Sequence, residues 1–271
     1  MSTENGMQKG AELRAMVSRW LPFSCVDGPG NRLVLFLQGC NFRCPGCHNP
    51  HTMGLCDHCG DCVPGCPGRA LAMQEGRVSW QAELCTHCDR CLDVCPRHAS
   101  PKTRQMSVAE VLALLRRYGP LLTGVTVSGG EATTQLPFVI ALFTAIKAAP
   151  DLARLTCLLD SNGSLGETGW QRLLPVLASL QLLAQAGKLA EVRLLLVPGR
   201  SDFLDATGAL EEALTTFLLS LGPVPIRLNG FRHHGVRGEA LSWPEAGSAD
   251  LTVLANALKA KGFGSVMLPA I

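Results

Sequence analysis

Eleven of the thirteen cysteines in this 271-residue chain fall between Cys40 and Cys95. That crowding limits what the middle of the chain can fold around. The first ten residues, MSTENGMQKG, are polar and lack the apolar centre of a secretory signal. The expected location is therefore cytoplasmic, and in a reducing compartment clustered thiols read as metal or redox ligands rather than disulfides. A chain of this length, 47% hydrophobic, buries enough core to fold without covalent staples. Its net charge is +2 with Lys and Arg scattered, which suits a solvated mixed-charge surface rather than a nucleic-acid face. No apolar run approaches the ~18 residues of a membrane span. Neither nucleic acid nor membrane is an expected partner.

Eight of the cysteines form an internal repeat. CDHCGDCVPGCP (56–67) and CTHCDRCLDVCP (85–96) are both C-x2-C-x2-C-x3-C-P. This is the bacterial ferredoxin run, in which three close-spaced thiolates hold one cluster and the fourth, before Pro, crosses to the other. Cys56, Cys59, Cys62 and Cys95 then hold one [4Fe–4S] cluster, and Cys85, Cys88, Cys91 and Cys66 a second. A pair of zinc knuckles is the competing assignment, but its C-x2-C pairs usually sit farther apart. His58 and His87, inside the runs, read as solvated loop residues rather than ligands.

Three more cysteines lie in GCNFRCPGCHNP (39–50), spaced C-x3-C-x2-C after the strand-like run Leu33–Leu37. No fourth ligand is evident. Cys157 sits within a predicted strand as a small apolar residue, and Cys25 is a loop cysteine with no partner spacing. Three thiolates on a cubane leave one iron open for a chelating molecule, as three protein ligands do on catalytic zinc.

The remaining chain alternates strand and helix. Ser107-Val-Ala-Glu110 is a capping box opening a helix through Arg117. GVTVSGG is a buried strand ending in glycines, and Leu136 to Ala149 an amphipathic helix. LTCLLD (155–160) is a strand, and TGWQRLLPVLASL begins a helix with Pro175 as a kink. EVRLLLV (191–197) is a strand, 205–221 a helix, VPIRLNG a strand, 248–261 a helix and SVMLPA a last strand. Such alternation means an α/β fold with a parallel sheet, either an open doubly wound sheet or a barrel, complete or partial. The expected domains are a core of 17–51 and 104–271 with an insert, 52–103, carrying the ferredoxin repeat.

Several of these stretches resemble one family. The C-x3-C-x2-C loop after the first strand is the hallmark of the radical S-adenosylmethionine (SAM) superfamily, and Ser128-Gly129-Gly130-Glu131 resembles its GGE motif. SCVDGPGNRLVLFLQGC resembles the entry segment of glycine radical enzyme activases. HNP, VSGGEATTQLPFV, LLDSNG, GKLAEVRLLLVPG and RLNGFRHHGVRGEA are similar in particular to the YjjW-type members. The resemblance runs from about Val17 to the C-terminus.

It implies a partial (β/α) barrel with an inserted two-cluster ferredoxin-like domain, three [4Fe–4S] clusters in all, and SAM as cosubstrate. Cys40, Cys44 and Cys47 hold the cluster whose open iron binds SAM. Reductive cleavage of SAM yields a 5′-deoxyadenosyl radical that takes hydrogen from a glycine of a partner enzyme, so no side chain is assigned as catalytic beyond cluster and SAM. Glu131 and the Ser128–Gly130 turn position the methionine part, and Asp160 and Asn162 make polar contacts near SAM. Arg193 either faces that pocket or is a strand-end charge. Asp27, Gly28, Pro29 and Gly30 help form the docking site for the partner, a glycyl radical enzyme. A flavodoxin or ferredoxin is the implied electron donor.

The chain departs from the family at two places. Between Trp170 and Glu191 the family has a further strand and helix carrying an Asp-x-Lys motif. Here QRLLPVLASLQLLAQAGKLA fills the interval and reads as helix, which leaves five core strands rather than six, or a gap. The family also has His directly after the Phe of FRHH. Here Arg232 stands there, able to pair a carboxylate, followed by His233 and His234. Two other readings therefore stand beside the activase: a cluster-binding homologue with lost or reduced turnover, and a ferredoxin-type electron-transfer or scaffold protein.

Overall fold

The computed structural model describes residues 13–163, 174–201, 203–205, 210–233, 236 and 238–269. Contacts divide the chain into two compact units. The first is the chain up to Arg43 together with Asn49–Ser161, and the second is Cys44–His48 together with the chain from Asn162 onward.

In the first unit, strand β1 (Arg14–Ser24) runs antiparallel to β2 (Arg32–Leu37). All six residues of β2 are buried, as a central strand covered on both faces must be. Residues 52–103 follow, with a hairpin of β3 (Leu71–Gln74) and β4 (Arg77–Trp80) and a short α-helix, α1 (Arg90–Asp93). The hairpin turn has φ of 49° at Glu75 and 74° at Gly76, as a two-residue type I′ connection requires. Next come β5 (Arg104–Ser107), α2 (Val108–Tyr118), β6 (Gly124–Gly129), α3 (Leu136–Ala148) and β7 (Thr156–Leu159).

These strands make one sheet in the order β5-β1-β2-β6-β7, in which β2, β6 and β7 are parallel. Alternation sorts its two faces. Leu33, Leu35, Leu37, Val125 and Val127 pack on Val111 and Leu115 of α2 and Leu142 and Ile146 of α3. Arg32, Val34, Phe36, Thr126 and Ser128 point the other way. The expected capping box opens α2, where Ser107 Oγ accepts from the Glu110 N–H at 3.2 Å and the Glu110 carboxylate from the Ser107 N–H at 2.7 Å.

The second unit holds α4 (Leu174–Gln185), β8 (Val192–Leu196), α5 (Glu212–Ser220), β9 (Ile226–Gly230), α6 (Ser248–Ala260) and β10 (Val266–Met267). Its three strands are parallel, in the order β10-β9-β8. Ile226 and Leu228 of β9 pack on Leu251, Leu254 and Leu258 of α6. The helix expected over 205–221 is shorter. The Glu211 carboxylate caps it by accepting from the Leu214 N–H at 2.6 Å, and Leu204 and Leu210 pair as an isolated bridge before it.

In the interval between Trp170 and Glu191 the described residues are the helix α4 and the turn after it. β7 is an outer strand of the first sheet and β8 an outer strand of the second. Among the described residues no helix is long and apolar enough to cross a membrane.

Candidate active site

The parallel strands of the first unit deliver their carboxyl ends to one edge, where α/β sheets bind ligands. β2 runs into Gly39 and Cys40, β6 into Gly130 and Glu131, and β7 into Asp160 and Ser161. Backbone bonds fasten these ends together. The Gly130 N–H donates to Leu37 O at 3.0 Å, the Glu131 N–H to Gly39 O at 2.8 Å and the Asp160 N–H to Val127 O at 2.9 Å. Gly39 and Cys40 in turn donate to Thr52 O at 2.7 Å and Met53 O at 3.0 Å. The cysteine loop is thus gripped from both sides.

This explains the glycine pair. Gly129 has φ of 118°, and a Cβ there would lie 2.3 Å from Leu37 O. A Cβ at Gly130 would lie 2.1 Å from Gly39 O. Gly129 is closed to any side chain by the end of β2, and Gly130 by the start of the cysteine loop. Glu131 is 1% exposed. Its Oε1 accepts from the Thr133 N–H at 3.0 Å, Thr133 Oγ1 at 2.6 Å and Ser161 Oγ at 3.0 Å. The carboxylate therefore caps the turn Ala132–Gln135 and ties it to the end of β7.

On the face away from the helices, Ser128 lies level with Phe36, and Arg19 stacks on the Phe36 ring at 4.5 Å. Lower on that face lies Arg32, 1% exposed. It donates to Thr126 Oγ1 at 2.7 Å, Thr156 Oγ1 at 2.8 Å, Val125 O at 2.7 Å and Pro29 O at 3.1 Å. Burial pushes its guanidinium pKa down, and the charges of Cys157 and Asp160 oppose that. Through Pro29, and through Thr126 Oγ1 donating to Asp27 O at 2.7 Å, the segment Asp27–Gly30 is held against this face.

In the second unit the Cys44–His48 segment packs on the FRHH stretch. A Cβ at Gly46 would lie 3.3 Å from the Phe231 ring and 3.7 Å from Leu195. The Cys47 N–H donates to Cys44 O at 3.2 Å. Arg232 donates to Ala246 O and lies 3.9 Å from Glu245. His233 is held by Glu245 and by Trp243 O, and His234 falls outside the described residues. Arg193 pairs with Glu191 at 2.5 Å, a carboxylate shared with Arg227 at 3.1 Å. Asn162 begins the second part of this unit.

The insert shows its repeat in the backbone. His58 and His87 have φ of 63° and 54°, Gly60 and Asp89 90° and 56°, and Arg69 and His98 both 50°. The last cysteine of each run is treated alike. Cys66 Sγ accepts from the Ala70 N–H at 3.3 Å and Cys95 Sγ from the Ala99 N–H at 3.4 Å. Cys66, Cys85, Cys88 and Cys91 line one small, partly open pocket, with Trp80 and Lys102 on its wall. Lys102 pairs there with Asp89. Cys56 lies within electrostatic reach of Cys59 and Cys95, and Cys62 within reach of Cys56, Cys59 and Cys91. Burial pushes the Cys62 thiol up to about 11, while backbone and Thr86 hydrogen bonds hold Cys88 below the usual thiol range. His58 Nδ1 accepts from the Val78 N–H at 3.1 Å, which ties the first run to β4.

The family model described as a 4Fe-4S single cluster domain matches residues 26–161. The benzylsuccinate synthase activating enzyme of Thauera aromatica is 31% identical over 89% of this chain and 88% of that protein. The chain belongs to the family of glycyl-radical enzyme activating enzymes. The choline trimethylamine-lyase activating enzyme of Oleidesulfovibrio alaskensis is 32% identical over 50% of this chain and 50% of that protein. In fold, the chain is similar to QueE from Escherichia coli, at TM-score 0.54 and 14% identity over 99% of this chain and 100% of that one. This activating enzyme therefore has a radical SAM fold of mixed α/β sheets.

Several residues that shape the site of this activating enzyme lie within the quoted stretches but were assigned no role from the sequence. Gln38 is 1% exposed and donates to His51 O at 2.9 Å and Gly54 O at 2.6 Å. Gln135 donates to Gln38 O at 2.9 Å. Arg32, Ser161 and Phe231 were likewise given no role of their own. A lone charged residue opening an apolar strand was the signal available for Arg32.

Proposed function

We propose that Cys40, Cys44 and Cys47 hold the SAM-binding [4Fe–4S] cluster of this activating enzyme, with its fourth iron site left for SAM. As in its family, the enzyme cleaves SAM reductively and generates a glycyl radical in a partner enzyme. The observation that carries the residue assignment is the fastening of Glu131 and Gly130 to the Cys40 loop at the carboxyl ends of β2 and β6. The donor set fits the group, since three thiols and no fourth are what an open cluster needs.

When bound, the cluster supplies the electron that splits SAM, and the 5′-deoxyadenosyl radical takes the glycine hydrogen. The chain's own residues orient and enclose. Ser128–Gly130 and the Glu131 carboxylate receive the methionine amino group, at a carboxylate whose direction three hydrogen bonds set. Asp160 and Asn162 supply further polar contacts to SAM. Arg193 faces the same pocket, and Arg232 is the candidate partner for the SAM carboxylate while also bracing the loop at Ala246. Asp27, Gly28, Pro29 and Gly30 form the docking lip for the partner's glycine segment.

The insert holds two further clusters, on Cys56, Cys59, Cys62 and Cys95 and on Cys85, Cys88, Cys91 and Cys66. The cavity lined by the second set and the matched N–H bonds to Cys66 and Cys95 support this. Hydrogen bonds to cluster-bound sulfurs are among the protein's controls on reduction potential. The electron donor is a flavodoxin or ferredoxin, and the location cytoplasmic. The core is a partial barrel of 17–51 and 104–271, with 52–103 inserted.

Anaerobic reconstitution tests the assignment. About 12 iron atoms per chain are expected, with 5′-deoxyadenosine formed from SAM and dithionite. Cys44→Ala should abolish that product and leave about eight iron atoms. Unchanged cleavage in Cys44→Ala overturns the cluster assignment. Full loading without cleavage favours the homologue with lost turnover, for which the absent Asp-x-Lys motif is the reason.

A further inference from the structure

The insert's purpose is decided by how its two cysteine sets attach to the Cys40 loop. Met53 O accepts from the Cys40 N–H at 3.0 Å. Three residues on, at most ~11 Å of extended chain, stands Cys56. The next residue after Met53, Gly54, pairs with Ala99, and a Cβ at Gly54 would lie 2.9 Å from Arg97 O. Ala99 in turn donates its N–H to Cys95 Sγ. Two ligands of the first set, Cys56 and Cys95, are thereby tied to the short segment that grips Cys40. Gln38 fixes the same segment from β2 through Gly54 O.

The second set attaches differently. Cys62 is 7% exposed and shares one apolar cluster with Leu71, Val78, Cys66 and Cys91. That cluster is the join between the sets. Each set has one exposed cysteine, Cys59 and Cys88, and beyond the join the pocket lined by Cys66, Cys85, Cys88 and Cys91 is partly open to solvent.

We infer that the two insert sets stand in series with Cys40, the Cys56/Cys59/Cys62/Cys95 set inboard and the Cys66/Cys85/Cys88/Cys91 set outboard, so that the insert is an electron inlet. A low-potential one-electron protein donor loses one electron at the solvent-facing set. One electron then arrives at the Cys40 loop by way of the inboard set, with no proton or ligand transferred. The inference rests on the assignment of two clusters to the insert.

The test reads magnetic coupling and iron content in the full chain. SAM perturbs the electron paramagnetic resonance signal of the cluster it binds, which marks the Cys40/Cys44/Cys47 signal among the three. In fully reduced protein, broadening of that signal by a neighbouring reduced cluster should persist in Cys88→Ala and be lost in Cys59→Ala. Its reduction by flavodoxin should be lost in both. Broadening lost in Cys88→Ala and kept in Cys59→Ala reverses the order and overturns the inference. So does flavodoxin reduction that survives Cys88→Ala, which would make the insert a docking platform. A second measurement needs no substitution. In the unaltered chain poised at stepped potentials, the marked signal should broaden with the reduction of one neighbour, and broadening that follows both neighbours equally overturns the series. About four iron atoms in the unaltered chain would instead remove the insert clusters, and this inference with them, while leaving the family activity untouched.

Discussion

The backbone N–H of Glu131 donates to the carbonyl of Gly39 at 2.8 Å. These residues are 92 positions apart in the chain, yet this bond and its neighbour from Gly130 to Leu37 set the spacing between the GGE turn and the cysteine loop. The glycine pair exists here for chain against chain. Whatever SAM requires of this turn is added to a turn already closed to side chains.

Gly130→Ala should therefore damage the site without touching a ligand. A methyl group 2.1 Å from Gly39 O forces the two segments apart. The expected result is loss of 5′-deoxyadenosine formation and a fall in iron from about 12 toward eight atoms per chain. Normal cleavage by this variant would mean that the turn and the cysteine loop tolerate separation.

At Glu131 two substitutions separate capping from ligand contact. Glu131→Gln keeps an oxygen able to accept from Thr133 and Ser161, so stability should hold while KM for SAM rises. Glu131→Ala removes the cap as well and should cost a further ~1 kcal/mol of stability. Denaturation midpoints and SAM-dependent kinetics on both variants check this. Equal stability in all three forms would remove the capping role.

Arg32 holds the Asp27–Gly30 segment to the sheet face. Arg32→Met leaves Val125 O, Pro29 O and the two threonine hydroxyls without that donor. Losing these bonds should destabilise the protein by ~3 kcal/mol, read as a lower urea midpoint. Glycyl radical yield on the partner should fall more than SAM cleavage measured without partner. A parallel fall in both would place Arg32's effect in the fold alone.

The capping box of α2 predicts a pH dependence. The Ser107 N–H holds the Glu110 carboxyl below its ordinary value of 4.5. A carboxyl depressed by folding stabilises the native state above the ordinary value and loses that contribution as pH falls through the folded one. The unfolding midpoint of the unaltered protein should exceed that of Glu110→Gln near neutral pH, and the difference should vanish on acidification below 4.5. Cluster binding is itself pH-dependent, so the comparison is made between the two proteins at each pH. A difference that grows on acidification would contradict the bonding seen at Ser107.

Much of this protein was legible in one dimension. Cysteine spacing is local, so the repeat could be read from neighbours three or four positions apart, and it reappears in the matched backbone angles at His58 and His87. The buried strands β2 and β6 and the capping box at Ser107 are also local signals. The antiparallel strand β1 was not legible, because its register shifts after Val17 and Leu21 break the alternation that marks a strand. Helix α5 was read too long, since periodicity does not show where the Glu211 carboxylate turns to cap Leu214.

The sequence by itself determined how the thiols are spaced along the chain, in two runs of four and one of three. Only the tertiary structure decided why Gly129 and Gly130 carry no side chain, what Arg32 holds, and which insert cysteines attach to the Cys40 segment. Each of these depends on backbone groups far apart in the chain meeting within hydrogen-bond distance. That proximity follows from how β2, β6 and the insert pack, and no local pattern of residue types encodes it.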